Sequence, residues 1–224
     1  DGAAIVSDDM HLGIQLPNTW FRLALRYPAP DGSMRRVVGV TLPGAPPVIV
    51  VGSNGKVAWG FTNSYGDFLD LVEVNTDPSK PGEVRTPAGW ETPARHDETI
   101  LVKDAPAEKF EVRTTSFGPV REAGGRSYAI HWIAHSAAAI NLNPIKFETV
   151  DTLDAALSTA ATVGIPAQNF VAGDDKGNIG WTIVGAMAGR AQPGLGSTFP
   201  ISAANAGAGW QAPLAPDVYP APRN

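Results

Sequence analysis

Glycine and proline punctuate this chain so often that long regular elements have little room. They hold 24 and 20 of its 224 positions, about a fifth. Glycine costs backbone entropy inside an element and proline removes a hydrogen-bond donor, so both break helices and sheet interiors. A chain like this folds as many short segments joined by turns. The residues between the breaks read mostly as strands. Residues 20–27 (WFRLALRY) alternate in polarity, and residues 35–42 (RRVVGVTL) are β-branched. Residues 48–51 meet the turn Gly52-Ser53-Asn54-Gly55-Lys56, and residues 57–62 (VAWGFT) follow. Asn-Gly between two β-rich runs predicts a hairpin. Residues 68–74 (FLDLVEV) alternate cleanly, residues 98–103 and 109–115 read as another pair, and residues 127–134 (SYAIHWIA) read as a further strand. A late hairpin is predicted from residues 169–173 and 179–187 around the turn at 174–178.

One helix is expected over residues 149–163, with Leu153, Ala156, Leu157 and Ala160 at helical spacing and Gly164 as its stop. Residues 136–147 are a second candidate, broken by Pro144. Residues 76–95 and the stretch 189–224 look irregular, the latter holding Pro213, Pro216, Pro220 and Pro222. No internal repeat is visible. The reading is a single α+β domain over residues 1–224, strand-rich, with an irregular tail from 189.

The charge balance narrows the function classes. Acidic residues number 22 against 17 basic ones, a formal net charge of −5, which argues against a nucleic-acid binder. A hydrophobic content of 43% supplies a core and excludes general disorder. The absence of cysteine excludes a disulfide scaffold, a thiolate metal site and a cysteine nucleophile. The longest apolar run, residues 45–51, contains two prolines and falls far short of the ~20 residues that span a bilayer, so no membrane partner is expected. The start, DGAAIVSDDMHLG, has neither an initiator Met nor a leader pattern, which suggests a processed boundary.

Motifs for chemistry are sparse. His131 and His135 have i, i+4 spacing, but a strand would set them about 13 Å apart at 3.3 Å per residue, too far for one metal. No Ser lies in GxSxG, and HExxH and the P-loop are absent. Asp67 and Asp70 follow a predicted hairpin strand, where carboxylates and carbonyls suit a hard cation or simply meet water. Asp174-Asp175 reads as turn chemistry. Asp8-Asp9-Met10-His11 offers a possible acid–base cluster, or a packed histidine.

Four stretches together resemble one family: DGAAIVSDDMHL, then VGVTLPGAPPVIVVGSNGKVAWGFTNSYGDFLDL, then SFGPV, then GIPAQNFVAGDDKGNIGW. Their order and spacing are similar to the large subunit of penicillin acylases up to about Pro200. That family includes cephalosporin acylases and acyl-homoserine-lactone acylases. The resemblance implies part of an αββα N-terminal-nucleophile hydrolase. A precursor cleaves itself into a small and a large subunit, which stay together as a heterodimer. The new N-terminal Ser of the large subunit attacks an amide, with its own α-amine as base. In the family's pattern that Ser lies about a dozen residues before the equivalent of Asp1. An oxyanion-hole Asn lies beyond the equivalent of Asn224. The stretch from Asp1 to Asn224 is therefore expected to be inactive by itself.

The resemblance also implies site residues. Asn63 falls where the family uses a backbone N–H in the oxyanion hole, and His11 matches a position beside the nucleophile. Leu12, Val51 and Gln168 match acyl-pocket positions. The first two are aromatic in phenylacetyl-specific members and aliphatic here. Asp67, the Leu69 carbonyl and Asp70 match ligands of a structural calcium, with Ser197 near a further carbonyl ligand. No organic cofactor is implied. The expected activity is hydrolysis of a small acylated amide: a β-lactam side chain, as in antibiotic biosynthesis, or an acyl-homoserine lactone. Family habit places such enzymes in the periplasm or outside the cell. The rival reading is a non-catalytic, calcium-stabilised β-rich binding domain.

Overall fold

The structure, a computed structural model, describes residues 2–44, 49–190, 200–203, 205 and 210–224. In chain order, β1 (Phe21–Pro28), β2 (Met34–Thr41), β3 (Val51–Ser53), β4 (Val57–Asn63) and β5 (Leu69–Glu73) come first. They are followed by β6 (Val84–Thr86), β7 (Gly89–Glu91), β8 (Ala94–Ile100), β9 (Glu108–Thr115), β10 (Gly118–Ala123) and β11 (Arg126–Trp132). Helix α1 (Leu153–Ala160) precedes β12 (Gln168–Asp174), β13 (Ile179–Val184), β14 (Ala188–Arg190), β15 (Ile201–Ser202) and β16 (Trp210–Pro213). The chain divides into two compact units. One comprises Asp1–Tyr65, Ala137–Met187 and Leu214–Asn224; the other comprises Gly66–Ser136 and Ala188–Pro213.

The first unit is built on an antiparallel sheet in the order β1-β2-β3-β4-β12-β13. The Asn-Gly hairpin forms between β3 and β4. Asn54 Oδ1 accepts from the N–H groups of Lys56 and Val57, and Gly55 takes φ +87°. The same Asn54 donates through Nδ2 to the carbonyls of Phe147 and Val150, so the turn residue also straps the segment before α1 to the sheet. Gly39 and Gly52 face each other in register, and the Ile49 side chain fills the space where their Cβ atoms would stand. Alternation on β4 sends Val57, Trp59 and Phe61 to one face, opposite Phe170 and Ala172 of β12. Phe147 stacks between Trp59 and Phe170 at ring separations of 5.7 and 5.0 Å. Leu153, Ala156, Leu157 and Ala160 of α1 close this core.

Helix α1 is shorter than the predicted 149–163. Thr152 caps it by accepting from the Ala155 N–H, and Val150 before it is extended. The predicted helix at 136–147 is instead a set of 3-10 turns, at Ala137–Ala139 and Asn143–Thr149. Pro144 stands near the start of the second, where its missing N–H costs least.

The second unit has a sheet in the order β15-β5-β11-β10-β9-β8, antiparallel except for the β15–β5 pair. Its core is small: Val72, Ala129, Ile201 and Ala203. The predicted pair at 98–103 and 109–115 is shifted, with β8 beginning at Ala94 and pairing Ile100 with Glu108. Within the stretch 76–95, expected to be irregular, β6 and β7 form a small ribbon. Among described residues of the expected irregular tail, β14 pairs with β16 and β15 joins β5. The Gly and Pro content signalled breaks but not the short strands between them.

The histidine spacing also needs correcting. Strand β11 ends at Trp132, and His135 lies in a 3-10 turn, Ile133–His135, so the two rings are not on one extended strand. His131 packs edge-on to Phe117 and His135 edge-on to Trp132. Burial pulls the His131 imidazole below its ordinary value; the Asp70 charge opposes this, and those of Arg190 and His135 add to it. Among the described residues, no helix is long and apolar enough to cross a membrane.

Candidate functional site

A cavity of about 410 Å³ opens in the first unit where β4 and β12 end side by side. Gln168 opens β12 directly opposite Asn63, the last residue of β4, so both reach the same rim. Phe61, two residues earlier on β4, forms the floor by the same alternation. Leu42, Val50 and Val51 contribute from the β2–β3 side, and Pro144, Ile165 and Pro166 from the segments flanking α1. The N-terminal segment supplies Asp9, Met10, His11 and Leu12, and Trp20 completes the wall. The lining is mostly aliphatic and aromatic, with few polar groups, as in sites that bind apolar ligands.

Five residues singled out in the sequence thus meet on one cavity: His11, Leu12, Val51, Asn63 and Gln168. His11 Nε2 lies 3.9 Å from Asp9 Oδ2, and both side chains are largely exposed, so the pair contributes little to stability. Asp8 anchors this segment to β4. Its carboxylate accepts backbone bonds from Asp9 and Phe61, and it packs where Gly60 has no Cβ. Burial pushes the Asp8 carboxyl above its usual range, while the two backbone bonds oppose the shift. Its Oδ2 is buried and finds no partner among the described residues.

The end of β4 is held by side chains as well as by the ladder. Asn169 Nδ2 donates to the Asn63 carbonyl at 2.9 Å, and Trp181 Nε1 donates to Asn169 Oδ1 at 3.0 Å. One residue on, Ser64 Oγ donates to the Ala167 carbonyl at 2.7 Å.

The acidic residues lie in the second unit and meet a cation that the sequence reading did not include. Arg190 on β14 reaches Asp67 Oδ1 at 2.8 Å and the Asp67 carbonyl at 2.9 Å. Its other terminal nitrogen reaches both carboxylate oxygens of Asp70, at 3.3 and 3.4 Å. Asp70, on β5 beside Leu69, is 2% exposed, whereas the Asp67 side chain is 44% exposed. Burial pushes the Asp67 carboxyl up; Arg190 opposes this and the Asp70 charge adds to it. Ser197 lies outside the described residues.

Asp174 is neither exposed nor catalytic in form. It accepts from the backbone N–H groups of Lys176 and Asn178, from the Asn178 side chain, and from the N–H of Leu153 at the start of α1. Burial works against its charge, but these donors outweigh burial and hold its carboxyl below the usual range. The turn reading of Asp174 is joined here by a second task, tying the β12–β13 hairpin to the helix.

A family model described as Penicillin amidase matches residues 1–224. The chain belongs to the penicillin amidase family. Its similarity to acyl-homoserine lactone acylase QuiP from Pseudomonas aeruginosa is 27% identity, over 82% of this chain and 23% of that protein. Penicillin G acylase from Escherichia coli is 32% identical over 54% of this chain and 14% of that protein. The chain therefore spans about a quarter or less of the length of the curated relatives it matches. Among solved structures, a thermostable penicillin G acylase from Alcaligenes faecalis superposes with a TM-score of 0.75. That match has 21% identity and covers 93% of this chain and 37% of that one. This likeness carries the fold, part of an α+β N-terminal-nucleophile hydrolase.

Several residues of the site carry little or no signal in the sequence. Trp20, Phe61 and Ile165 line the cavity. Phe61 carries a readable signal, since it shares the β4 alternation with Trp59 and Asn63. Arg190 carried none, because it stands 120 residues from Asp70. Asn169 lies inside the stretch GIPAQNFVAGDDKGNIGW, but only the strand register reveals its reach to Asn63.

Proposed function

We propose that the cavity is the acyl-binding site of an amidohydrolase of penicillin-acylase type. The observation that carries the proposal is convergence: His11, Leu12, Val51, Asn63 and Gln168, separated by up to 157 positions, line one mainly apolar cavity. In this reading an N-terminal Ser outside the stretch Asp1–Asn224 attacks the substrate's carbonyl carbon. Its hydroxyl proton passes to its own α-amine, whose ordinary pKa near 7.7–8.0 suits a base at neutral pH. The Asn63 N–H donates to the oxyanion that forms. Collapse of the intermediate breaks the C–N bond, and the amine leaves with that proton. Water then attacks the acyl-enzyme, adds its hydroxyl to the acyl carbon, and returns a proton to the Ser oxygen. His11 stands where it helps position the nucleophile.

The substrate side favours a straight aliphatic chain over a phenylacetyl group. Leu12, Val51, Leu42 and Ile165 give flexible or branched aliphatic surface beside Trp20 and Phe61, and the two positions that are aromatic in phenylacetyl-specific relatives, Leu12 and Val51, are aliphatic here. The naming of several relatives as acyl-homoserine lactone acylases supports the same choice. The test is an assay of the intact, processed enzyme on chromogenic amides of aliphatic and phenylacetyl acids. Higher kcat/KM on aliphatic amides supports the reading. No amidase activity overturns it and leaves the binding-domain rival.

A small subunit cut from the same precursor is the proposed partner. The N-terminal segment exposes Ile5, Ile14 and Leu16 almost completely, which supports a covering polypeptide. We also propose a structural calcium held by Asp67, Asp70 and the Leu69 carbonyl. Two carboxylates surround one guanidinium, leaving a net charge of −1 and spare oxygen lone pairs, one set of them on the buried Asp70. These oxygens suit a hard cation in kind but not in number: among the described residues no third acidic or histidine ligand joins them, so the remaining ligands would come from the partner subunit or from residues outside the described ones. Melting the intact heterodimer with and without a chelator tests it. A lowered Tm supports calcium; an unchanged Tm overturns it and leaves Arg190 as the partner of both acids.

A further inference from the structure

We infer that Asn169 and Trp181 are positioning residues for the oxyanion hole: Trp181 locks the amide of Asn169, and Asn169 locks the backbone of Asn63. The inference rests on the reading above that the Asn63 N–H is an oxyanion donor. Asn63 is the last residue of β4, and the peptide beyond it has left the ladder. A donor at a strand end is free to rock unless something else holds it, and an oxyanion donor works only when it is already aimed. The structure places two side-chain bonds immediately after that donor, where the chain leaves the ladder. Asn169 Nδ2 holds the Asn63 carbonyl, and Ser64 Oγ, one residue later, holds the Ala167 carbonyl.

The chemistry of the Asn169–Trp181 pair fixes its direction. An indole N–H only donates and a backbone carbonyl only accepts. The Asn169 amide stands between the two, so its oxygen must face Trp181 and its nitrogen must face Asn63. A flipped amide would set oxygen against the Asn63 carbonyl and nitrogen against the indole, losing both bonds. Register explains how the residues meet. Asn169 and Val171 of β12 pair with Ile183 and Trp181 of β13, so all four side chains share one face, with Asn169 diagonal to Trp181. Gln168 and Asn63 point to the opposite face, toward the cavity. Asn169 therefore acts on the hole from behind the sheet, touching no substrate.

The test uses the intact, processed enzyme and a chromogenic octanoyl amide. Asn169→Ala is expected to lower kcat about 10- to 100-fold while KM stays within about three-fold, because misaiming one donor acts on the transition state. Trp181→Phe is expected to lower kcat in the same sense by a smaller factor. Val171→Ala, on the same face and 42% exposed, serves as the structural control and is expected to leave kcat unchanged. The inference is overturned if Asn169→Ala keeps kcat within two-fold, or if Val171→Ala loses as much. Should Asn169→Ala fail to fold, Trp181→Phe decides by the same criteria. Replacing the amide at position 63 by an ester separates the two levels. If the ester keeps kcat, the oxyanion reading itself fails. If the ester loses kcat and Asn169→Ala does not, only the inference fails.

Discussion

The cavity of the first unit and the acid cluster of the second are both assembled from distant residues, but by different physics. The cavity is made by register and apolar packing. The strand residues Phe61, Asn63 and Gln168 reach it through their register on β4 and β12, the N-terminal segment and the stretches flanking α1 pack the rest of the wall, and many weak contacts share the work. The acid cluster is made by charge, and one residue decides it. Arg190 makes two contacts to Asp67 and two to the buried Asp70, so a single substitution removes all four. A packed wall therefore loses function gradually, whereas a buried charge pair fails at once when one partner goes.

The largest expected effect tests the packed side. Trp59 is 1% exposed, stacks on Phe147 and donates to the Ile49 carbonyl. Trp59→Ala is expected to cost about 3–5 kcal/mol by urea unfolding, through the cavity it leaves. A cost under about 1 kcal/mol would mean that this core is not cooperative.

Next comes the charged side, where the two acids are expected to differ. Asp70→Ala leaves Arg190, itself mostly buried, without the buried one of its two carboxylate partners, and is expected to cost about 3 kcal/mol. Asp67→Ala removes a more exposed partner and is expected to cost about 1 kcal/mol or less. Equal costs in denaturant melts would break the claim that burial, not contact count, sets the strength.

Asp174 joins charge to packing, and its effect has a defined pH window. Its carboxyl is held below the usual range, so its stabilisation is fully present above the unfolded carboxylate pKa of about 3.9. It is lost as pH falls through the lower folded value. Asp174→Ala is expected to cost about 2 kcal/mol at pH 7, shrinking toward zero in strong acid. A gap that stays constant across Tm measurements from pH 7 to pH 2 would contradict that assignment.

Asp8 gives the smallest effect and the opposite sign. Burial raises its carboxyl, so the folded state favours the protonated form, and this preference is lost as pH rises through the folded pKa. Asp8→Asn is expected to raise Tm by about 2 °C at pH 7 and to have no effect near pH 3, as read by thermal melts. A lower Tm at pH 7 would show that the charge is stabilising there.

Much of the fold was legible in the chain because local signals agree. The Asn54-Gly55 turn forms the β3–β4 hairpin, and the 174–178 turn forms the β12–β13 hairpin, since each needs only neighbouring residues to specify it. The strands of the expected irregular regions were not legible, because β14, β15 and β16 are two to four residues long and exist through their partners. The helix ends moved inward for the same reason: Thr152 caps where Asn54 and Asp174 hold the backbone, not where the apolar spacing begins.

By itself, the sequence determined the punctuation, the alternating strands, the two principal hairpins and the family. These depend on short-range conformational preference and on motifs that survive being read in one dimension. Only the tertiary structure decided that Asn63 and Gln168 share a rim, that Asn169 reaches the Asn63 carbonyl from behind, and that Arg190 stands between Asp67 and Asp70. Strand register and long-range charge pairing link residues more than a hundred positions apart, and no local preference encodes which of them will meet.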